Sequence, residues 1–239
     1  MTLLQLAGVH TYIGQFHILQ GVDMQVEQGG VTVLLGRNGA GKTTTLKSII
    51  GLLAPARGRV TLAGQAINGR PAYEVAQQGI GYVPEDRGVF VDLTVAENLL
   101  LAERRKGQLA ARKAMLLELF PDLGRFWHQK GGRLSGGQQQ MLAVSRALVP
   151  ENKLLLIDEP SKGLAPIVVE QLAHAFNQLK SYTTIVLVEQ NFWLASATGD
   201  RYYILDDGLT VHSGNMPDLI RDTELQARYL GVAAKGRAV

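Results

Sequence analysis

Val31-Thr32-Val33-Leu34-Leu35-Gly36-Arg37-Asn38-Gly39-Ala40-Gly41-Lys42-Thr43-Thr44 decides how the chain is read. A short apolar run stops at Gly36, and residues 36–43 satisfy the pattern G-x-x-x-x-G-K-[ST] in full. The stretch predicts a buried strand over Val31–Leu35, a glycine-rich loop, and a helix opening near Lys42. Gly36, Gly39 and Gly41 let backbone N–H groups converge on phosphate oxygens without obstruction by side chains. Lys42 offers a point charge to β- and γ-phosphates. The hydroxyl of Thr43 suits Mg²⁺, a hard cation that prefers oxygen, and the following helix adds its positive end. Candidate nucleotide contacts are therefore Gly36, Arg37, Asn38, Gly39, Ala40, Gly41, Lys42, Thr43 and Thr44.

Working outward, Leu154-Leu155-Leu156-Ile157 leads into Asp158-Glu159-Pro160, as a buried central strand would deliver carboxylates to its C-terminal edge. Asp158 is the candidate Mg²⁺ ligand, directly or through water. Glu159 is the candidate general base for the attacking water, a role that contributes about 10²–10⁴-fold in rate. Between the two motifs lies Leu134-Ser135-Gly136-Gly137-Gln138, in which Ser135 and Gln138 have the spacing of a helix-opening capping box.

Alternation marks Val22, Met24 and Val26 as one face of a strand, with Asp23, Gln25 and Glu27 on the other. Arg59–Ala63 and Gln65–Ile67 predict a hairpin turning at Gly64, and Ile80–Val83 a buried strand broken by Pro84. Thr94-Val95-Ala96-Glu97 opens a helix. A second helix is expected over Ala110–Phe120, ended by Pro121, and a third from Ser135 to about Leu148. Val168, Leu172, Ala175, Phe176 and Leu179 share one helical face. Thr184–Val188 and Tyr202–Leu205 are further strands, with a hairpin turn at Asp207-Gly208. The expected organisation is one domain over residues 1–239. An α/β lobe spans 1–85 and 150–239, and a helical lobe spans 86–149.

Composition sets the outer limits. With 239 residues, 46% apolar and 19% charged, the chain has ample length for a packed core. It has no cysteine, so neither disulfides nor thiol chemistry are available. Its five histidines form no ligand spacing, and no structural metal is inferred. No apolar run is long enough to cross a bilayer, and no secretory signal opens the sequence, so a cytoplasmic location is expected. A net charge of +3 without aromatic and basic interleaving gives no sign of nucleic acid as a partner.

Taken together, the phosphate loop, Leu134–Gln138 and Leu154–Pro160 resemble the ATP-binding subunits of ABC transporters, over nearly the whole chain. Tyr82-Val83-Pro84-Glu85, Val89-Phe90, Leu93–Leu99, Gln138–Ala143, Gly163-Leu164-Ala165-Pro166 and Leu187–Asn191 resemble the LivF-like subunits of branched-chain amino-acid uptake. The resemblance implies a P-loop, RecA-like α/β core with an N-terminal antiparallel β region and an inserted helical lobe. It implies ATP and Mg²⁺ as ligands, sandwiched in a head-to-tail pair of chains. Ser135, Gly136, Gly137 and Gln138 would act on the nucleotide held by the partner's phosphate loop. The implied partners are membrane-spanning permease subunits, a second LivG-like ATP-binding subunit or a second copy of the chain, and indirectly a periplasmic or lipid-anchored solute-binding protein. The implied position is peripheral, on the inner face of the plasma membrane. Residues 86–105 would receive the permease, with Phe90 and Val91 either contacts or simply exposed apolar side chains.

Three positions depart from the general family pattern. Glu85 stands where most members have glutamine; as a candidate Mg²⁺ and γ-phosphate sensor it cannot donate a hydrogen bond, and it adds negative charge beside the triphosphate. Gln190 stands where most have histidine, and as a candidate catalytic contact its amide donates to phosphate but does not titrate. Hydrolysis is then expected to lack an acid limb near pH ~6.5. Both residues suit the LivF-like branch and imply no inactivation. Ile13 precedes Gly14 where the family has an adenine-stacking aromatic, leaving Tyr12 as either a base contact or a surface aromatic.

Rival readings fit less well. A soluble clamp-type ABC ATPase would carry two cassettes or a coiled-coil insert, and a GTPase would carry an N-K-x-D-type base reader; the sequence has neither. Urea or short amides are alternative cargoes, because cargo is chosen by other subunits.

Overall fold

The computed structural model describes residues 1–231. β1 (Thr2–Ile13) and β2 (Phe16–Glu27) form a long antiparallel hairpin. Along β2, Val22, Met24 and Val26 are buried while Asp23 and Gln25 are exposed, as alternation across a half-buried sheet requires. β4 (Arg57–Leu62) pairs with β1, and β5 (Gln65–Ala66) returns against it, giving the order β2-β1-β4-β5. The turn between them, Ala63-Gly64, has φ of 48° and 79°, the left-handed pair that a two-residue hairpin needs.

A second sheet carries β3 (Val31–Leu35), β6 (Ile80–Val83), β7 (Leu154–Asp158), β8 (Thr184–Val188) and β9 (Arg201–Asp206), all mutually parallel. β10 (Leu209–Asn215) folds back antiparallel on β9 at Asp207-Gly208, so the order is β10-β9-β3-β8-β7-β6. Every residue of β3, β7 and β8 is buried. Their unbroken apolar runs follow from cover on both faces, where alternation would serve no purpose. Leu34, Leu154, Leu156, Val186 and Val188 pack toward the first sheet and α1 (Lys42–Ile50). Val33, Leu35, Leu155, Ile157, Ile185 and Leu187 pack toward the helices on the other side.

Between α1 and β6 lies the short α2 (Ala72–Gln77). Between β6 and β7 come α3 (Val95–Leu100), α4 (Gln108–Leu119), α5 (Pro121–Arg125) and α6 (Gly136–Leu148). Both predicted capping boxes form: Glu97 Oε2 accepts from the N–H of Thr94 at 2.7 Å, and Gln138 Oε1 accepts from the N–H of Ser135 at 2.9 Å. The second predicted helix needs correction. It begins two residues earlier, at Gln108, and Pro121 also opens α5 as its first residue, where a missing N–H costs nothing. Phe126 and Trp127 pack against this helical layer, with Lys113 Nζ 4.2 Å from the centre of the Trp127 ring. After β7, α7 (Pro166–Leu179) buries Leu172, Ala175, Phe176 and Leu179. α8 (Phe192–Thr198), α9 (Met216–Arg221) and α10 (Thr223–Leu230) complete the described chain.

This arrangement sets up the site. Because β3, β6, β7 and β8 are parallel, the segments that leave their C-terminal ends gather on one edge of the sheet: the glycine loop, Pro84-Glu85, Glu159 and Glu189-Gln190.

Candidate functional site

The glycine loop is held open by backbone that only glycine accepts comfortably. Gly36 has φ of 147°, and a Cβ there would collide with the carbonyl oxygen of Leu205. At Gly41, with φ of 99°, a Cβ would lie 2.7 Å from Leu19 Cδ2. Lys42 is only 4% exposed. Its Nζ donates to the carbonyls of Gly36 at 3.0 Å and Arg37 at 3.1 Å, and lies 3.5 Å from Glu159 Oε1. The ammonium group is thus curled over its own loop, with its charge directed into the cleft.

Thr43 Oγ1 donates to Asp158 Oδ1 at 3.0 Å, and the Tyr82 hydroxyl donates to Oδ2 at 3.4 Å. Asp158 is fully buried, and burial pushes its carboxyl up to about 6; the nearby charges of Glu159 and Glu85 add to the rise, against the lowering effect of the Thr43 hydrogen bond. Tyr82 is raised as well, by burial first and by Asp158 second.

Glu159 has φ of 44°, a left-handed backbone that is uncommon outside glycine and costs of order 1–3 kcal/mol. Its N–H donates to the carbonyl of Val188 at 2.9 Å, anchoring it to the next strand. Oε1 accepts from Gln190 Nε2 at 2.9 Å, and the same amide reaches Asn38 Oδ1 in the glycine loop. Asn38, Lys42, Glu159 and Gln190, drawn from three separate stretches, therefore form one contact network. Glu85 lines the same cleft and is ion-paired with Lys162.

Two parts of this site had no sequence signal. Glu189 is 1% exposed and accepts four hydrogen bonds: Oε1 from the N–H of Ser161 at 3.0 Å, and Oε2 from Ser161 Oγ at 2.9 Å and the N–H groups of Gln190 and Asn191 at 3.0 Å each. It ties the segment after Glu159 to the segment carrying Gln190. Burial raises its carboxyl despite those donors. Lys162 is the other, and only the fold brings it to Glu85.

Other candidates lie elsewhere. Arg37 points away, donating to the carbonyl of Arg228 at 3.1 Å, and Ala40 is buried beneath the loop. Ser135, Gly136, Gly137 and Gln138 line neither of the two clefts at the phosphate loop. Gly136 instead lies against the Arg87 guanidinium, which also donates to Gln139 Oε1 at 3.2 Å. Tyr12 stacks on His17, ring centres 4.2 Å apart, and the loop-side cleft is lined by Ile13 and Ile18. That cleft, of about 340 Å³, joins one of about 830 Å³ through Thr43, Glu85 and Lys162.

The residues present fit Mg²⁺ and a triphosphate. The hydroxyl of Thr43 and the carboxylate of Asp158 are hard oxygen donors already in contact. Backbone N–H groups at the start of α1 and the Lys42 ammonium complete an anion cradle.

A parallel sheet that carries a glycine loop, a buried carboxylate and a carboxylate–amide pair to one edge defines a P-loop nucleotide hydrolase. The chain belongs to the ABC transporter family, whose pattern matches residues 19–162. It is 39% identical over 226 residues to the high-affinity branched-chain amino acid transport ATP-binding protein BraG of Pseudomonas aeruginosa, covering 93% of this chain and 97% of that one. It is 36% identical over 224 residues to the probable branched-chain amino acid transport ATP-binding protein LivF of Archaeoglobus fulgidus, covering 91% and 94%. The fold matches a nucleotide-free ATP-binding cassette from an ABC transporter with a TM-score of 0.86 and 25% identity, over 99% and 100% of the two chains. It also matches a dimeric cassette in a post-hydrolysis state bound to ADP and Pi, with a TM-score of 0.78 and 27% identity, over 89% and 98%. The chain is accordingly an ATP-hydrolysing subunit whose reaction is coupled to transport. No helix among the described residues is long and apolar enough to cross a membrane.

Proposed function

We propose that this chain powers an importer of branched-chain amino acids, binding Mg-ATP between two ATP-binding subunits and hydrolysing it with Glu159 as general base. The observation that carries the catalytic reading is the contact of Gln190 Nε2 with Glu159 Oε1 beside Lys42, which holds a carboxylate over the phosphate cradle. Similarity to BraG and LivF supports the cargo. Lys42 and the loop amides hold the β- and γ-phosphates. Thr43 and Asp158 are the residues that would hold Mg²⁺, whose charge offsets that of the triphosphate. Glu159 takes a proton from water, and Gln190 orients both the carboxylate and the γ-phosphate.

Ser135, Gly136 and Gly137 lie outside the chain's own cleft, which favours their use on nucleotide bound by a partner. In this reading the partner is a related LivG-like chain, and the permease docks on the segment after Glu85, near Phe90 and Val91. Light scattering of Glu159→Gln tests both points, because that variant binds ATP without consuming it. The expected result is a monomer that binds Mg-ATP and dimerises only when the second subunit is added. Dimerisation alone would overturn the heterodimer, and failure to bind ATP would overturn the site.

A further inference from the structure

Glu85 brings a carboxylate into the region where the γ-phosphate is expected, close to Asp158 and Glu159. The structure supplies the compensating charge. Lys162, three residues beyond Glu159, reaches across the mouth of the cleft and pairs its Nζ with Glu85 Oε1, although the two are 77 residues apart in sequence. Both line the two clefts that meet at Thr43. Glu85, Asp86, Asp158 and Glu159 are there opposed by Lys42, Lys47, Arg87 and Lys162, so four negative charges face four positive ones.

Stabilisation of the fold does not account for the pair. Its side chains are 63% and 39% exposed, and ion pairs of that kind contribute next to nothing to folding. Their effect is greatest on a polyanion, because removing one cation leaves the cleft net negative where a triphosphate must enter.

We propose that Lys162 and Glu85 work as one charge-compensated unit, in which Lys162 cancels the carboxylate of Glu85 so that the cleft admits ATP. Lys162 is thus a positioning residue for Glu85. The inference rests on the reading above, in which the γ-phosphate lies near Glu85. It also gives a reason why a carboxylate is tolerated at position 85: the nearby segment carries its counter-charge.

A double-mutant cycle decides it, with dissociation constants for ATP and ADP measured by calorimetry on the full chain, with Mg²⁺ and with chelator. Lys162→Met is expected to weaken ATP binding about 3- to 10-fold, more with chelator than with Mg²⁺. In a Glu85→Gln background the same change is expected to weaken binding clearly less, because the attraction of Lys162 for the phosphates is still lost but no carboxylate is left unpaired beside them. Thermal melts of all four proteins should coincide, since both side chains are exposed. Equal weakening in both backgrounds, or none in either, overturns the pairing. Coupling of equal size for ADP and ATP preserves the pair but overturns the placement of Glu85 at the γ-phosphate, so the two failures are distinguishable.

Discussion

The two ends of the nucleotide cleft are built by opposite means. At the phosphate end, charged side chains are buried and cross-linked: Lys42 is 4% exposed, Asp158 is fully buried, and Glu159 touches both Lys42 and Gln190. At the end proposed to receive the base the wall is apolar, with Ile13 and Ile18 lining the cleft and Tyr12 turned onto His17. The phosphate end concentrates strain and desolvated charge where the proposed hydrolysis would take place. The base end offers only van der Waals contact. Affinity is therefore expected to come from the triphosphate, and discrimination among bases to be weak.

The largest effect breaks the phosphate end. Glu159→Gln removes the base but keeps a group able to meet Gln190 and Lys42. Phosphate release is expected to fall about 10²–10⁴-fold while ATP affinity, measured by calorimetry, stays within a few-fold of the parent. If affinity collapses along with rate, Glu159 holds the nucleotide and does not serve as the base.

A second effect measures what the buried charge costs. In the nucleotide-free protein the Asp158 carboxyl is raised from 3.8 to about 6. The native state therefore binds this proton more tightly than the unfolded chain does, and the stability it contributes is present below the ordinary value and lost as pH rises through about 6. Asp158→Asn should make the nucleotide-free protein about 1–3 kcal/mol more stable at neutral pH. Urea unfolding in chelator should show that gap closing as pH falls toward 4. A gap that is independent of pH would mean that shape, not charge, sets the cost.

How far sequence alone reaches follows the same division. Local signals were sufficient for the β3–loop–α1 unit, the Leu154–Asp158 strand and both capping boxes, because each depends on residues within a few positions of one another. The two turns at Ala63-Gly64 and Asp207-Gly208 were legible for the same reason. Pro121 does end α4, as the sequence predicts, and it also opens α5, because proline fits the first position of a helix; that second role carries no separate signal. Partners supplied by the sheet were not legible. Tyr82 meets Asp158 only because β6 and β7 run side by side, and Glu189 meets Ser161 only because β7 and β8 do. Nothing in the text of Val188-Glu189-Gln190 distinguishes a carboxylate that accepts four hydrogen bonds from a solvated one.

The smallest effects lie at the base end, and they sharpen the contrast most. Tyr12 and Ile13 are consecutive on β1, so strand alternation sends them to opposite faces, and only Ile13 lines the cleft. Placing a ring at position 13 should supply the missing stacking surface. Base stacking on an aromatic is worth roughly 1–3 kcal/mol, and at an exposed strand end the lower figure applies, so Ile13→Tyr should tighten ATP about fivefold. Because every base has a π-face, GTP should gain nearly as much, leaving selectivity little changed. Tyr12→Ala should shift ATP affinity by less than about twofold, since it removes a partner of His17 and nothing that faces the nucleotide. Competition of ATP and GTP for a fluorescent nucleotide reads both variants at once. A large loss in Tyr12→Ala with no gain in Ile13→Tyr would mean that the strand end rotates on binding and that the ring now on His17 moves over the base.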